Sequence, residues 1–270
     1  MKDSEIIAAH YDQNPQGEWD RLERDGRLRP EFVITAQYIE RYVRPGDRVL
    51  DLGGGPGRYS LHLAKMGCDV TLADLSDGNV AFAREKAKEM GLSIKAVQAN
   101  ALDLSGIKGR DFDHVLCMGP LYHLLQPWER ELCVENCLSV LKPGGLLFAS
   151  FIQNFAGALY CLKYAPELIL DEKEESYFDC VKTNRSFAGD AFTRAFNASV
   201  GDILSLFAPF PLRRLHLLGC EGILSPNEPA IMAQPDDVYN AWLDLSMQLC
   251  EREGLLAFSE HSMYIGQKKA

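Results

Sequence analysis

The apolar positions of this chain change period several times, and the changes mark out its elements. Val49, Leu50 and Leu52 form a short run that fits a strand buried on both faces, after which Gly53, Gly55 and Gly57 supply a turn free of side chains. Tyr59, Leu63 and Met66 then recur at helical spacing up to Gly67, a C-terminal cap. Pro56 suits the first turn of that helix, because it lacks the N–H that such a turn leaves unpaired. A second strand over 69–75 carries Asp74 near its end. Ser76 caps a helix whose Val80, Ala83, Ala87 and Met90 fall three and four apart before Gly91 stops it. Strands are predicted over 94–99 and 112–118, a helix over 128–140, and, after the turn Lys142-Pro143-Gly144-Gly145, a fifth strand over 146–152. Alternation of strand and helix predicts a doubly wound α/β fold, which places its chemistry at the carboxyl ends of the strands.

The flanks follow other patterns. Residues 2–29 are polar and irregular, and then Phe32, Thr35, Ala36, Ile39 and Val43 give a helix feeding the first strand. Between 153 and 199 the alternation breaks, and Phe155, Tyr160, Tyr164, Tyr177, Phe178, Phe187, Phe192 and Phe196 punctuate a stretch with an acidic run at 171–175. An insertion there lies beside the ends of the fourth and fifth strands, so it is read as a substrate lid lined by aromatics, with an extra helical layer as the alternative. A helix over 200–207, a sixth strand over 212–218, a helix over 238–250 and a last strand over 261–266 complete the chain. The expected organisation is an N-terminal helical cap (1–47), a core (48–152 and 200–270) and an inserted lid (153–199). His261, at the head of the last strand, is expected to be structural.

Composition removes whole classes of function. A chain of 270 residues with 47% hydrophobic content can build a sizeable core, while a formal charge of −10 argues against general nucleic-acid binding, which needs clustered Lys and Arg. No apolar stretch approaches membrane-spanning length and no signal peptide is recognisable, so a cytoplasmic protein without membrane partners is expected. Eight cysteines without a Cys-x-x-Cys spacing fit reduced thiols, and Cys133 and Cys137, one helical turn apart, are read as chance on an amphipathic helix, so no metal is expected.

Spacing within the glycine turn decides which nucleoside the first two strands would hold. A dinucleotide fingerprint needs Gly-x-Gly-x-x-Gly, but counting from Gly53 the last position is Arg58, and counting from Gly55 it is Ser60. What remains, Asp-x-Gly-x-Gly-x-Gly from Asp51, resembles the first motif of class I S-adenosylmethionine-dependent methyltransferases, and the Leu-Lys-Pro-Gly-Gly turn before the fifth strand is a further match. The resemblance covers about residues 49–151. It implies a Rossmann-like, mostly parallel seven-stranded sheet with an antiparallel strand, and S-adenosylmethionine as cofactor. It also implies that Gly53, Gly55 and Gly57 pass under the methionine part, that Asp51 lies near the amino group and that Asp74 takes both ribose hydroxyls. Asn100 and Ala101, at the tip of the third strand, match the adenine slot, with Asp103 as a competitor and a plain turn as the bland reading of Asn100. Arg58, Leu75 and Met118 flank these motifs and are included in the expected cofactor site. Tyr11-Asp12 and Glu18-Trp19-Asp20-Arg21-Leu22 resemble the leader of bacterial small-molecule members, in which an aromatic folds over the sulfonium; Tyr11 is the candidate, whereas Trp19 and Leu22 read as packing.

At the end of the fourth strand Gly119-Pro120-Leu121-Tyr122 lacks the amide or acid and the second proline of nucleic-acid amino methyltransferases. Tyr122 and His123 remain as the candidate catalytic groups. A histidine near its reference pKa could take a proton from a hydroxyl, thiol or amine, and the alternative is one that only packs on the cofactor. The expected activity is methyl transfer to a small-molecule acceptor. A cofactor-binding protein of the same fold without catalysis is the alternative, and an NAD-dependent oxidoreductase is disfavoured by Arg58. A thiophilic acceptor would need converging cysteines, and Cys68, Cys117, Cys161, Cys180, Cys220 and Cys250 read as scattered.

Overall fold

The computed structural model of the chain describes residues 2–107 and 111–270. The strands of its main sheet are β1 (Arg48–Leu52), β2 (Asp69–Asp74), β3 (Lys95–Gln98), β4 (Phe112–Cys117), β5 (Leu141–Gln153), β6 (Phe187–Asp190), β7 (Arg194–Ala198), β8 (Leu212–Gly219) and β9 (His261–Lys268). Seven of them follow the order β8-β9-β5-β4-β1-β2-β3. β1 pairs in parallel with β2 and β4, as do β2 with β3 and β4 with β5, while β9 runs antiparallel between β5 and β8. The chain thus leaves β1 toward β3 on one side and returns to β4 on the other. A crevice opens at that switch point, above the carboxyl ends of β1 and β4.

Period-two alternation fills both faces of the sheet. Leu50 and Leu52 point into one cluster with Val115, Leu147 and Ala149, and Val49 into the other with Val70, Leu116 and Phe148. Helices cover both layers: α3 (Pro30–Glu40), α4 (Arg58–Lys65), α5 (Asp77–Glu89), α6 (Pro127–Val140), α9 (Val200–Phe207) and α11 (Asp236–Leu249). Leu50 and Phe148 are fully buried, and truncating such side chains to alanine costs about 2–5 kcal/mol.

Two regions depart from the sequence reading. The segment expected to be irregular contains α1 (Asp3–Asp12), where the Glu5 carboxylate accepts the Lys2 N–H at 3.0 Å, and α2 (Pro15–Asp20), capped by the Asn14 side chain. Among its residues α1 buries only Ile7, so its apolar stripe is too thin to read as a period. The insertion contains α7 (Ala156–Tyr164), α8 (Glu175–Lys182) and the hairpin β6–β7, which brings the sheet to nine strands rather than seven. β5 outruns β4, whose last partner is Ala149, and β7 pairs with the overhang through Ile152 and Gln153. An edge that would otherwise stay open is covered. Between β8 and β9 lies α10 (Glu228–Met232) beside α11. Among the described residues no helix is long and apolar enough to cross a membrane.

Candidate active site

A cavity of about 710 Å³ occupies the crevice above β1 and β4. Its floor is the turn after β1. Gly53 adopts φ +71°, and a Cβ there would stand 2.4 Å from Pro120 Cδ, so only glycine lets this turn lie against the loop that follows β4. The two loops that carry the candidate residues are thereby held together.

Four acidic or amide side chains line one end: Asp51, Asp74, Asn79 and Asn100. Asp74 Oδ2 accepts the Gly55 N–H at 2.8 Å, and its Oδ1 accepts the Ser76 N–H at 2.9 Å. Asn79, from the first turn of α5, reaches Asp74 Oδ1 through its amide at 3.4 Å. Asp51 accepts the Ser60 hydroxyl at 2.7 Å on Oδ2, while its Oδ1 and the Asn79 Oδ1 are buried without a partner. Burial with no neighbouring cation pushes Asp51 up to about 6, and the nearby Asp74 charge adds to the rise. Asn100 and Ala101 complete this end, where Asn100 Oδ1 also accepts the Leu102 N–H at 2.9 Å, an Asx turn that fixes the strand tip. Asp103 is outside the lining and makes the equivalent turn with Ser105.

The other end is built from the cap and the loop after β4. Tyr11 Oη and His123 Nε2 are 2.7 Å apart, and His123 Nδ1 is 2.8 Å from the Arg194 carbonyl of β7. A carbonyl only accepts, so Nδ1 carries the proton, Nε2 is the bare nitrogen and the Tyr11 hydroxyl donates to it. Burial lowers His123 to about 4 and holds it neutral, which corrects the expectation of a histidine near its reference value. The ring is walled by Tyr122, Phe192 and Tyr11, with centroids 4.8, 5.8 and 5.4 Å away. Tyr122 lines the cavity, but its hydroxyl is committed to the Met118 carbonyl, to which it donates at 2.9 Å, so it serves as a wall.

The cap closes over this end through polar contacts. Asp12 accepts the Ser76 hydroxyl at 2.6 Å and the Gly78 N–H at 3.0 Å, and Asp3 pairs with Arg194 at 3.1 Å. Arg21 and Glu18 face the cavity from α2 and the residues after it. The Arg21 guanidinium is held at 2.6 and 3.1 Å by both oxygens of Glu31, which it drives down to about 2. Glu31 in turn approaches His261, which Glu221 holds at 2.6 Å, and the two carboxylates raise that histidine to about 9. His261 is structural, as expected, and anchors the cap to the sheet.

A family model described as a methyltransferase domain matches residues 49–145. The ubiquinone biosynthesis O-methyltransferase of Azotobacter vinelandii is 30% identical over 204 residues, which cover 75% of this chain and 86% of that protein. The chain belongs to the class I S-adenosylmethionine-dependent methyltransferases. Magnesium protoporphyrin IX methyltransferase from Synechocystis PCC 6803, solved with bound S-adenosylhomocysteine, superposes with a TM-score of 0.60 at 17% identity, over 99% of this chain and 100% of that one. A [4+2]-cyclase superposes equally well, with a TM-score of 0.60 at 18% identity, covering 99% and 96% of the two chains, so likeness of this kind shows the fold alone. S-adenosylmethionine is the cofactor of the methyltransferase, and a small molecule is its methyl acceptor.

The cavity of the methyltransferase gathers Tyr11, Asp51, Gly53, Gly55, Arg58, Asp74, Leu75, Asn100, Ala101, Met118, Tyr122 and His123. Gly57 is not in the wall. Its φ of +94° starts α4, and a Cβ would meet Ala83 Cβ at 3.1 Å, so it serves helix packing rather than ligand approach. Arg58 reaches the wall but spends its guanidinium on the cap, donating to the Trp19 carbonyl and Glu23 and lying 4.2 Å from the Trp19 ring centroid. None of residues 153–199 lines the cavity, because β7 ties the insertion to the sheet edge; Phe192 and Arg194 only back His123. Asp12, Glu18, Arg21 and Asn79 were missed in sequence as site residues. Asp12 and Arg21 belong to the leader segment whose resemblance is given above, but their partners, Ser76 and Glu31, lie 64 and 10 positions further on and give no sign of the contact in sequence.

Proposed function

We propose that the methyltransferase methylates the hydroxyl oxygen of a small phenol-like acceptor. The observation that carries this reading is the Tyr11 hydroxyl donating to the bare Nε2 of a neutral His123 inside the cavity. The site fits the cofactor on its own terms. Asp51 is a buried carboxylate with an unpartnered oxygen and no cation beside it, which suits an incoming ammonium group, and Asn79 Oδ1 is likewise unpartnered. Asp51 would hold the cofactor's amino group, Asp74 its ribose hydroxyls, and Asn100 with the Ala101 N–H its adenine edge. When bound, the cofactor supplies an activated methyl carbon.

The chain's own residues then orient the acceptor, exclude water and receive a proton. As the acceptor hydroxyl loses its proton to Tyr11 Oη, the Tyr11 proton passes to His123 Nε2, and Nδ1 stays bonded to the Arg194 carbonyl. The role of the Azotobacter vinelandii relative, an O-methyltransferase, supports oxygen as the acceptor atom. A second reading rests on the low basicity that burial imposes on His123: the pair orients the acceptor hydroxyl without taking its proton. Formation of S-adenosylhomocysteine over a panel of phenols, amines, thiols and carboxylates tests the proposal. Turnover with phenols is expected, with losses of about 100-fold in His123→Ala. Turnover confined to amines or carboxylates would overturn it.

A further inference from the structure

Three thiols that the methyl-transfer cavity does not use meet inside the core. Cys117 ends β4, and Cys133 and Cys137 project one turn apart from α6. Their Sγ atoms all lie within 4.8 Å of one another, with 3.7 Å between Cys117 and Cys133. None is more than 1% exposed, all are free, and none lines the cavity. The sequence reading treated Cys117 as scattered and the Cys133–Cys137 pair as chance; the fold brings all three together.

Free cysteine commonly packs as a small hydrophobe, but three sulfurs this close are also spaced for one shared atom. Metal–sulfur bonds of about 2.3 Å put sulfurs roughly 4 Å apart around a common centre. Charge selects among the centres that could sit there. The surroundings are apolar, with Val115, Val134, Leu138 and Leu147 in the same cluster, so a complex carrying net charge would be penalised. Three thiolates around a monovalent or divalent ion leave net negative charge, whereas a trivalent centre makes the assembly neutral.

The geometry points to a buried three-sulfur site for a trivalent thiophilic element of the arsenite class, walled off from the methyl-acceptor cavity. Loading is a ligand exchange: three As–O bonds of arsenous acid break, three As–S bonds form, and the three thiol protons leave with the three hydroxides as water. The oxidation state of arsenic does not change, so no oxidant or reductant is needed. Because the thiols are buried, α6 must open transiently, and loading is slower than reaction at the partly exposed Cys161 and Cys180.

The test uses the folded full chain incubated with inorganic arsenite and then freed of excess. Native mass spectrometry is expected to show one retained arsenic with loss of three hydrogens, and X-ray absorption at the arsenic edge three sulfur neighbours. Among the described residues, which include all eight cysteines, this is the one all-cysteine trio within that reach. Cys137→Ala should cut retention by about 100-fold with S-adenosylhomocysteine affinity kept, whereas Cys161→Ser with Cys180→Ser should leave it unchanged. No retained arsenic, or a centre with two sulfurs in the wild-type chain, overturns the proposal, and the absorption measurement stands even if a core variant fails to fold.

Discussion

Two segments flank the carboxyl edge of the sheet, and they do different work. The insertion, which the sequence presents as an aromatic lid, is bound to the sheet by backbone hydrogen bonds of β7 and supplies no cavity residue. The cap, whose polar first turns look unremarkable, supplies Lys2, Asp3, Ser4, Ile7, Ala8 and Tyr11 to the wall. Its first helix, α1, is held there by polar contacts of its side chains: Tyr11 to His123, Asp12 to Ser76 and Gly78, and Asp3 to Arg194. Backbone ladders make scaffold, while a few polar contacts at a helix make a cover that can lift. The insertion backs the Tyr11–His123 pair from behind through Phe192 and the Arg194 carbonyl, and α1 covers it from the front.

The strongest way to break this contrast is to remove α1. A chain starting at Asn14 is expected to lose roughly 1000-fold or more in turnover, since it loses both Tyr11 and the exclusion of water, and steady-state kinetics would read it. Near-normal turnover would show that the cap is not part of the site. Next in size, Asp74→Ala should weaken S-adenosylhomocysteine binding by about 1.5–3 kcal/mol, the range for hydrogen bonds to a charged group, with calorimetry as the check. Unchanged affinity would take Asp74 out of the cofactor site.

Asp51 sharpens the contrast between stability and function. Its folded pKa is raised to about 6, so the stability it carries when protonated is present below the ordinary aspartate value and lost as pH rises through 6. The loss is on the order of 2–3 kcal/mol. Asp51→Asn should therefore raise the melting temperature of the cofactor-free chain at pH 7 by about 4–8 °C and weaken cofactor binding, while the gain fades near pH 4. A variant that is no more stable at pH 7 would mean that Asp51 is not a strained, buried charge. The smallest effect belongs to the insertion's outer face. Tyr160, Leu162 and Tyr164 are exposed, so replacing them with serine should leave turnover within about twofold. A large loss would restore the lid reading.

What the sequence made legible follows the same division. The end of the cavity proposed for the cofactor is formed by residues that sit within a few positions of strand tips, so Asp51, Asp74, Asn100 and Ala101 could be singled out together through their resemblance to local motifs. Gly53, too, was legible as a close approach, although its partner Pro120 was not. The acceptor end is assembled from residues far apart in the chain. Tyr11 meets His123 across 112 positions, and Arg194 supplies its carbonyl from a strand that the apolar pattern of the insertion does not signal. His123 could be singled out by its place after β4, but its tautomer and lowered pKa depend on those distant partners. Arg21, Glu31, Glu221 and His261 show the same limit, since a buried ion cluster leaves no periodic trace.

The claim that the Tyr11–His123 pair accepts the proton is tested most directly by one series of rates. Turnover would be measured for phenols of increasing pKa with the wild-type chain and with His123→Phe, at a pH where the free phenols of the acidic members are already ionised. The account predicts that the variant loses about 100-fold on weakly acidic phenols and little on acidic ones, because an ionised acceptor has no proton to give. Equal turnover of variant and wild type across the whole series, or a loss independent of phenol pKa, would contradict it and leave orientation and desolvation as what this end of the cavity contributes.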